Sequence, residues 1–180
     1  MIDTRQFRAA LGRFASGVAV VTTRHQDRTH AMTVSSFVSV SLDPPLVLVS
    51  VDHRAAMHLL LPVTRRYGVS VLAENQEALS NHFAGRPREG LEVRFFTHQG
   101  VPLVEGGVAH FVVEVTDAHQ AGDHTLYIGR VEHIETREER PLLFHAGKYQ
   151  QLRAEKPKVV PWPQDEFSLF SIGGFDPPIT

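Results

Sequence analysis

No cysteine occurs in this chain of 180 residues. That absence removes a disulfide framework, thiolate metal sites, iron–sulfur clusters and cysteine nucleophiles, and it fits a reducing compartment. Long apolar runs are missing too. Stretches such as Leu46 to Val51 reach about a third of the ~20 residues a helix needs to cross a bilayer, so a membrane protein is not expected. The opening MIDTRQFRAALGRFASG places Asp3, Arg5 and Arg8 where a signal peptide needs an unbroken apolar core, and the chain reads as cytoplasmic. A large excess of one charge is also lacking. The 18 Lys and Arg residues face 20 Asp and Glu, for a net charge of −2. This balance leaves no broad footprint for nucleic acid or an anionic membrane, and any anion has to be held locally.

What is present fits one domain with a short appendage. Phe7, Ala10, Leu11 and Phe14 recur at helical spacing after Asp3 and Thr4, so an amphipathic helix runs toward Gly17. Val18 to Thr23 is rich in β-branched residues and runs into the polar turn Arg24 to Arg28. Thr29 to Ser41 alternates small polar and apolar residues, and Leu42-Asp43-Pro44-Pro45 then breaks the ladder. Leu46 to Val51 is expected as a buried strand, Ala55 to Leu61 as a helix ended by Pro62, Tyr67 to Leu72 as a strand and Asn75 to Phe83 as a helix. Longer strands are expected at Gly107 to Thr116 and Thr125 to Thr136, and a short one at Leu142 to His145. The mixed charges of Arg137 to Arg140 predict a solvated hairpin tip. Regularly spaced strands with few helices predict a mainly β fold, an antiparallel barrel or sandwich with peripheral helices. Residues 1–155 form that domain. Residues 156–180 hold five of the eleven prolines with Trp162, Phe167, Phe170 and Phe175, and read as an arm that packs along the barrel of its own or a partner subunit.

Several chemistries find no support. There is no GxGxxG or P-loop spacing for a nucleotide, no HExxH among the eleven histidines and no GxSxG elbow. No metal site is expected.

Four motifs stand in order along the chain: Ala31-Met32-Thr33-Val34-Ser35-Ser36-Phe37, Ser39 to Val51, Asn81-His82-Phe83-Ala84-Gly85 and Gly122-Asp123-His124. Together with the opening FRAALGRFASGVAVVTT and the late PLLFHAGKYQQL, the set resembles the short-chain flavin reductase family over residues 5–152. The members of that family are the reductase components of two-component flavin monooxygenases. The resemblance implies a split β-barrel of the FMN-binding type, working as a homodimer with flavin sites at the subunit interface. It also implies the reaction: NADH or NADPH reduces FMN or FAD, which leaves as reduced flavin for a partner monooxygenase.

By the same resemblance Met32, Thr33, Val34, Ser35 and Ser36 bind the flavin ring and ribityl chain. Ser50, Val51 and Asp52 form a second contact segment, with His53 or Arg54 near the phosphate. Phe83 and Ala84 flank the cofactor, and Arg86 is a further phosphate partner. His124 orients the dinucleotide while Asp123 fixes its loop, and Tyr149 stands at the same face. Phe144 occupies a position where the family commonly has Tyr. The residue chemistry agrees, because a flavin ring needs apolar walls and donors along the edge that gains negative charge. Read without the family, Phe83 also suits a core anchor, Arg54 and Arg86 a solvated surface, and Gly122-Asp123-His124 an ordinary turn. A flavin carrier or electron-transfer protein of the same fold is the alternative; it would not need the nicotinamide face.

Overall fold

The structure, a computed structural model, describes residues 2–152; the expected arm at 156–180 lies outside them. Helix α1 (Thr4–Leu11) opens the chain, followed by β1 (Ser16–Gly17), β2 (Ala19–His25), β3 (Arg28–Val34), β4 (Val38–Leu42) and β5 (Pro45–Asp52). Helix α2 (Ala56–Thr64), β6 (Arg66–Val71) and α3 (Glu77–Phe83) come next. Then follow β7 (Phe95–His98), β8 (Val101–Val104), β9 (Ala109–Ala121), β10 (His124–Thr136), β11 (Leu143–His145) and β12 (Lys148–Gln150). Seven strands form one antiparallel sheet in the order β3-β2-β6-β9-β10-β5-β4, with β1-β11-β12 and β7-β8 as small satellites. No described helix is long and apolar enough to cross a membrane.

The large sheet rolls around one core. Ala19 and Val21 (β2), Val34 (β3), Val47, Val49 and Val51 (β5), Tyr67 and Val69 (β6), Val113 and Val115 (β9) and Tyr127 (β10) meet there around Met57 and Leu61 of α2. The period-2 alternation of a strand sends the intervening residues the other way. Val20 of β2 and Val112 of β9 therefore pack outside the roll, in two smaller clusters with Leu72 and Val104 and with Val101 and Leu103. Strands β2, β6 and β9 are thus covered on both faces, which is why they read as apolar runs with little alternation.

Four local expectations change. The stretch Thr29 to Ser41 is two strands, not one ladder, with Ser35 to Phe37 forming a bend between β3 and β4. Helix α2 does not stop at Pro62 but runs through it to Thr64. A proline has no N–H for the carbonyl four residues earlier, here that of His58. That carbonyl instead accepts the Tyr127 hydroxyl at 3.0 Å, so the helix continues with its orphan satisfied. Strands β7 and β8 were not foreseen. Pro102 inside Val101-Pro102-Leu103-Val104 argues against a strand, yet a two-stranded ribbon tolerates it, and its carbonyl takes the Thr22 hydroxyl. Helix α1 forms where expected, with the Asp3 carboxylate accepting from the Gln6 N–H, but it ends at Gly12 and its Phe7 and Leu11 are exposed.

The β9–β10 hairpin carries two irregularities. Thr116 is an extra residue on β9 between Val115↔Gly129 and Asp117↔Ile128, and Glu132 is an extra residue on β10 between Val131↔Val113 and His133↔Val112. Away from the hairpin, the satellite ribbon sets the tightest approach. A Cβ at Gly68 of β6 would lie 2.5 Å from the Pro102 carbonyl oxygen, 2.6 Å from Thr22 Oγ1 and 2.7 Å from a Leu103 methyl. Gly68→Ala is expected to destabilise the fold by about 1–3 kcal/mol, the usual cost of overpacking. Urea unfolding reads this out, and an unchanged midpoint would show that β8 can retreat freely.

Candidate functional site

Strand β3 is hydrogen-bonded to β2 on one side only, because it ends the seven-stranded order. Its other edge offers unpaired N–H and C=O groups, and an open strand edge is a template for polar partners. Two helix ends rise beside that edge. Ala55, Ala56 and Met57, at the start of α2, form one wall; Phe83, Ala84 and Gly85, at the end of α3, form the other; His30, Ala31, Met32 and Thr33 form the floor. The cleft between them is about 530 Å³, within the usual range for a small-molecule site. The α2 wall has no side-chain cap on its first N–H groups. Apolar walls above a hydrogen-bonding strand edge fit a flat aromatic ring whose rim carries donors and acceptors, which is what a flavin presents.

Of the residues singled out in the sequence, Met32, Thr33, Phe83 and Ala84 line this cleft. Val34 and Val51 send their side chains into the barrel core, leaving only their backbone for a ligand. Two of the three hydroxyls between Thr33 and Ser36 are engaged within the protein. Thr33 Oγ1 donates to the Ser80 carbonyl at 2.8 Å. Ser36 Oγ donates to the Ser50 carbonyl at 3.0 Å and accepts from the Ser50 N–H at 3.1 Å. The β4–β5 ladder starts at Val38↔Leu48, so Ser36 takes up, with a side chain, the next pair of polar groups on β5. Ser35 alone is exposed.

The loop Gly122-Asp123-His124 caps the β9–β10 hairpin, and the register sets His124 directly opposite Asp52 at the end of β5. The His53 N–H donates to the Asp123 carbonyl, and the Ala55 N–H to the Asp52 carbonyl. These bonds tie the hairpin tip to the segment that enters the α2 wall. His124 Nδ1 lies 2.7 Å from Asp123 Oδ1. A carboxylate only accepts, so the Nδ1 carries the proton and Nε2 is left for a ligand. The same contact holds the Asp123 carboxyl below its ordinary value. Arg54 is committed as well: its guanidinium grips Asp52, with Nη2 2.7 Å from Oδ2, and holds that carboxyl well below the usual carboxylate range. The Arg54 side chain is 85% exposed, so the pair contributes little to stability and an incoming phosphate has to compete with Asp52 for it. Arg86 is exposed just beyond Gly85 and makes no salt bridge among the described residues.

Tyr149, on β12, reaches α3. Its hydroxyl meets Ser80 Oγ at 2.9 Å and reaches Asn81 Oδ1 at 3.4 Å, both on α3. Sequence reasoning did not nominate His30, Ala55, Ala56, Met57, Gly85 or Ser80. Small and apolar residues at helix ends carry no chemical signature, and Ser80, between Leu79 and Asn81 on a short helix, carries none either.

Comparison with known proteins agrees with this architecture. The family model described as flavin reductase like domain matches residues 11–153, and the chain belongs to that family. It is 50% identical over 148 residues to an NADH-dependent flavin reductase of a Rhodococcus species, covering 81% of this chain and 84% of that protein. It is 40% identical over 147 residues to the reductase component of 4-hydroxyphenylacetate 3-monooxygenase from Thermus thermophilus, covering 81% and 95%. The solved structure of the flavin reductase PheA2 in its native state superposes with a TM-score of 0.82 at 43% identity, covering 84% of this chain and 99% of that one. Its neighbours of this kind are flavin reductases, and the rolled antiparallel sheet is of their split-barrel type.

The two adjacent serines should behave differently. Ser36→Ala leaves both polar groups of Ser50 without their partner and is expected to cost about 1–3 kcal/mol of stability, whereas Ser35→Ala should leave the melting curve in place. Equal curves for the two variants would show that water replaces Ser36 without loss.

Proposed function

We propose that this protein is an NADH-dependent flavin reductase, which passes hydride from the dinucleotide to FMN or FAD and releases reduced flavin to a separate monooxygenase. The observation that carries the reading is the cleft itself: an open β3 edge between two apolar helix ends, with the Asp123–His124 tip tied to the entry of one wall. The named activities of the relatives support it. When bound, the flavin supplies the hydride acceptor. The chain is left with binding, orienting and excluding water, since effective molarity from orientation is a large share of what such a transfer needs. The backbone of Met32 to Ser35 is suited to the ring edge, and the side chains of Met32 and Phe83 to its faces. Arg54 and Arg86 are the cations offered to a phosphate, and His124 Nε2 is offered to the dinucleotide.

A homodimer belongs to the same reading. Leu46 and Leu48 of β5 and Leu126 and Ile128 of β10 point away from the core and are only half-buried, and Val38 beside them is exposed. A water-facing sheet would carry polar residues there. This face is continuous with Ser50, Asp52 and His124 through the register, so a second copy seated on it would border the site.

Following the near-ultraviolet absorbance of NADH and NADPH with FMN, FAD or riboflavin tests the reaction. The expected result is turnover with NADH, and flavin binding without any dinucleotide oxidation would leave a carrier. In the active protein His124→Ala should raise the Michaelis constant for NADH and slow turnover while flavin affinity stays nearly constant. A matching loss of flavin affinity would move His124 to the flavin. Leu48→Glu is expected to shift the sedimentation of the full chain from dimer to monomer; an unaltered dimer would place the contact on another face.

A further inference from the structure

Thr33, Ser80 and Tyr149 are far apart in sequence yet share one hydrogen-bonded network. Ser80 is fully buried on α3. Its carbonyl accepts from Thr33 Oγ1 of the cleft floor at 2.8 Å, and its hydroxyl meets the Tyr149 hydroxyl at 2.9 Å. Either hydroxyl can donate in the shorter contact, and the Tyr149 hydroxyl also reaches Asn81 Oδ1 at 3.4 Å. The Tyr149 ring stands edge-on to Phe144 with centroids 5.4 Å apart, which fixes its position from the β11 side. The carbonyls of Ser80 and Asn81 also accept from the Ala84 N–H, at 3.0 and 3.2 Å, and the Asn81 carbonyl takes the Arg86 N–H. Helix α3 has only seven residues, too few to hold its own end in place.

We propose that Ser80 and Tyr149 are positioning residues for the flavin: their hydroxyl pair holds the end of α3, and with it Phe83, Ala84 and Gly85, at a fixed distance from the β3 edge. The proposal rests on the reading of the cleft as the flavin site, and it moves Tyr149 from the dinucleotide to the flavin wall. The Thr33–Ser80 bond sets one side of that distance and the Ser80–Tyr149 bond the other. Losing either lets the wall shift relative to the floor, and a flat ring held between two surfaces is sensitive to the gap between them.

Tyr149→Phe keeps the ring and removes only the hydroxyl; Ser80→Ala and the double variant complete a cycle. Affinity for FMN and for FAD is measured by titration of flavin fluorescence on the full chain, which needs no turnover, alongside steady-state kinetics and melting temperature. Each single variant is expected to weaken flavin binding about 3- to 10-fold, the size of one lost hydrogen bond. The double variant should be no worse than the weaker single, because one shared contact is lost in each case. Turnover at saturating flavin and the Michaelis constant for NADH should stay within about twofold of the parent. A raised constant for NADH with unchanged flavin affinity would overturn the proposal and return Tyr149 to the dinucleotide. Flavin affinity unchanged in Tyr149→Phe, or a lowered melting temperature as the only effect, would overturn it in favour of a purely structural contact. A parent that binds flavin but oxidises no NADH defeats the reductase reading and leaves this one standing; a parent that binds no flavin defeats both.

Discussion

The cleft exists because β3 has a neighbour on one side only. A strand in the interior of a sheet spends all its backbone groups on its neighbours, whereas an edge strand keeps half of them. Natural proteins usually blunt such edges. Here two helix ends stand beside the edge, and a ligand lying between them can reach it. Recognition can then rest on the main chain, which explains why most of the residues lining the cleft are small or apolar.

Both walls are helices, and both hang on a tyrosine hydroxyl. Tyr127 donates to the carbonyl of His58 that Pro62 leaves free, and its oxygen lies 3.1 Å from His58 Nδ1. It thereby fastens α2 to β10. Tyr149 does the equivalent for α3 from β12. The third tyrosine, Tyr67, is buried with its hydroxyl unpartnered among the described residues, and burial pushes its ionisation upward. It fills space in the core beside Gly129, where a Cβ would come within 3.0 Å of its oxygen. Three chemically identical side chains thus divide into two clamps and one packing element, according to what stands opposite each hydroxyl.

Much of the fold was legible because its signals are local. The β-branched run at Val18 to Thr23, the apolar run of Leu46 to Val51 and the Asp3 cap all became the expected elements near the expected places. Expectation and structure part where a distant partner overrides a local rule. Pro62 does not end α2, because Tyr127, sixty-five positions further along the sequence, supplies the missing donor. Pro102 does not prevent β8, because the ribbon lies outside the main ladder. At the site, the ordered motifs located the floor, one wall and the hairpin tip. The Ala55-Ala56-Met57 wall stayed hidden, since alanines at a helix start signal nothing until the opposing surface is known. The engagement of Thr33 with Ser80 and of Ser36 with Ser50 was equally invisible, because a serine or threonine in a sequence does not show which partner it already has.

The paired irregularities of the β9–β10 hairpin bear on which insertions and deletions this chain can absorb. His124 is held in step by β5, through an unbroken register from Arg130↔Leu46 to His124↔Asp52. Removing Thr116 would close the bulge, keep Val115 opposite Gly129 and Asp117 opposite Ile128, and leave the histidine where it is. One residue added anywhere between Leu46 and Asp52 would instead turn the histidine side of the site out of alignment with the β5 end. Changes in length should therefore accumulate along the outer half of β9 and be purged from β5, although both border the same loop.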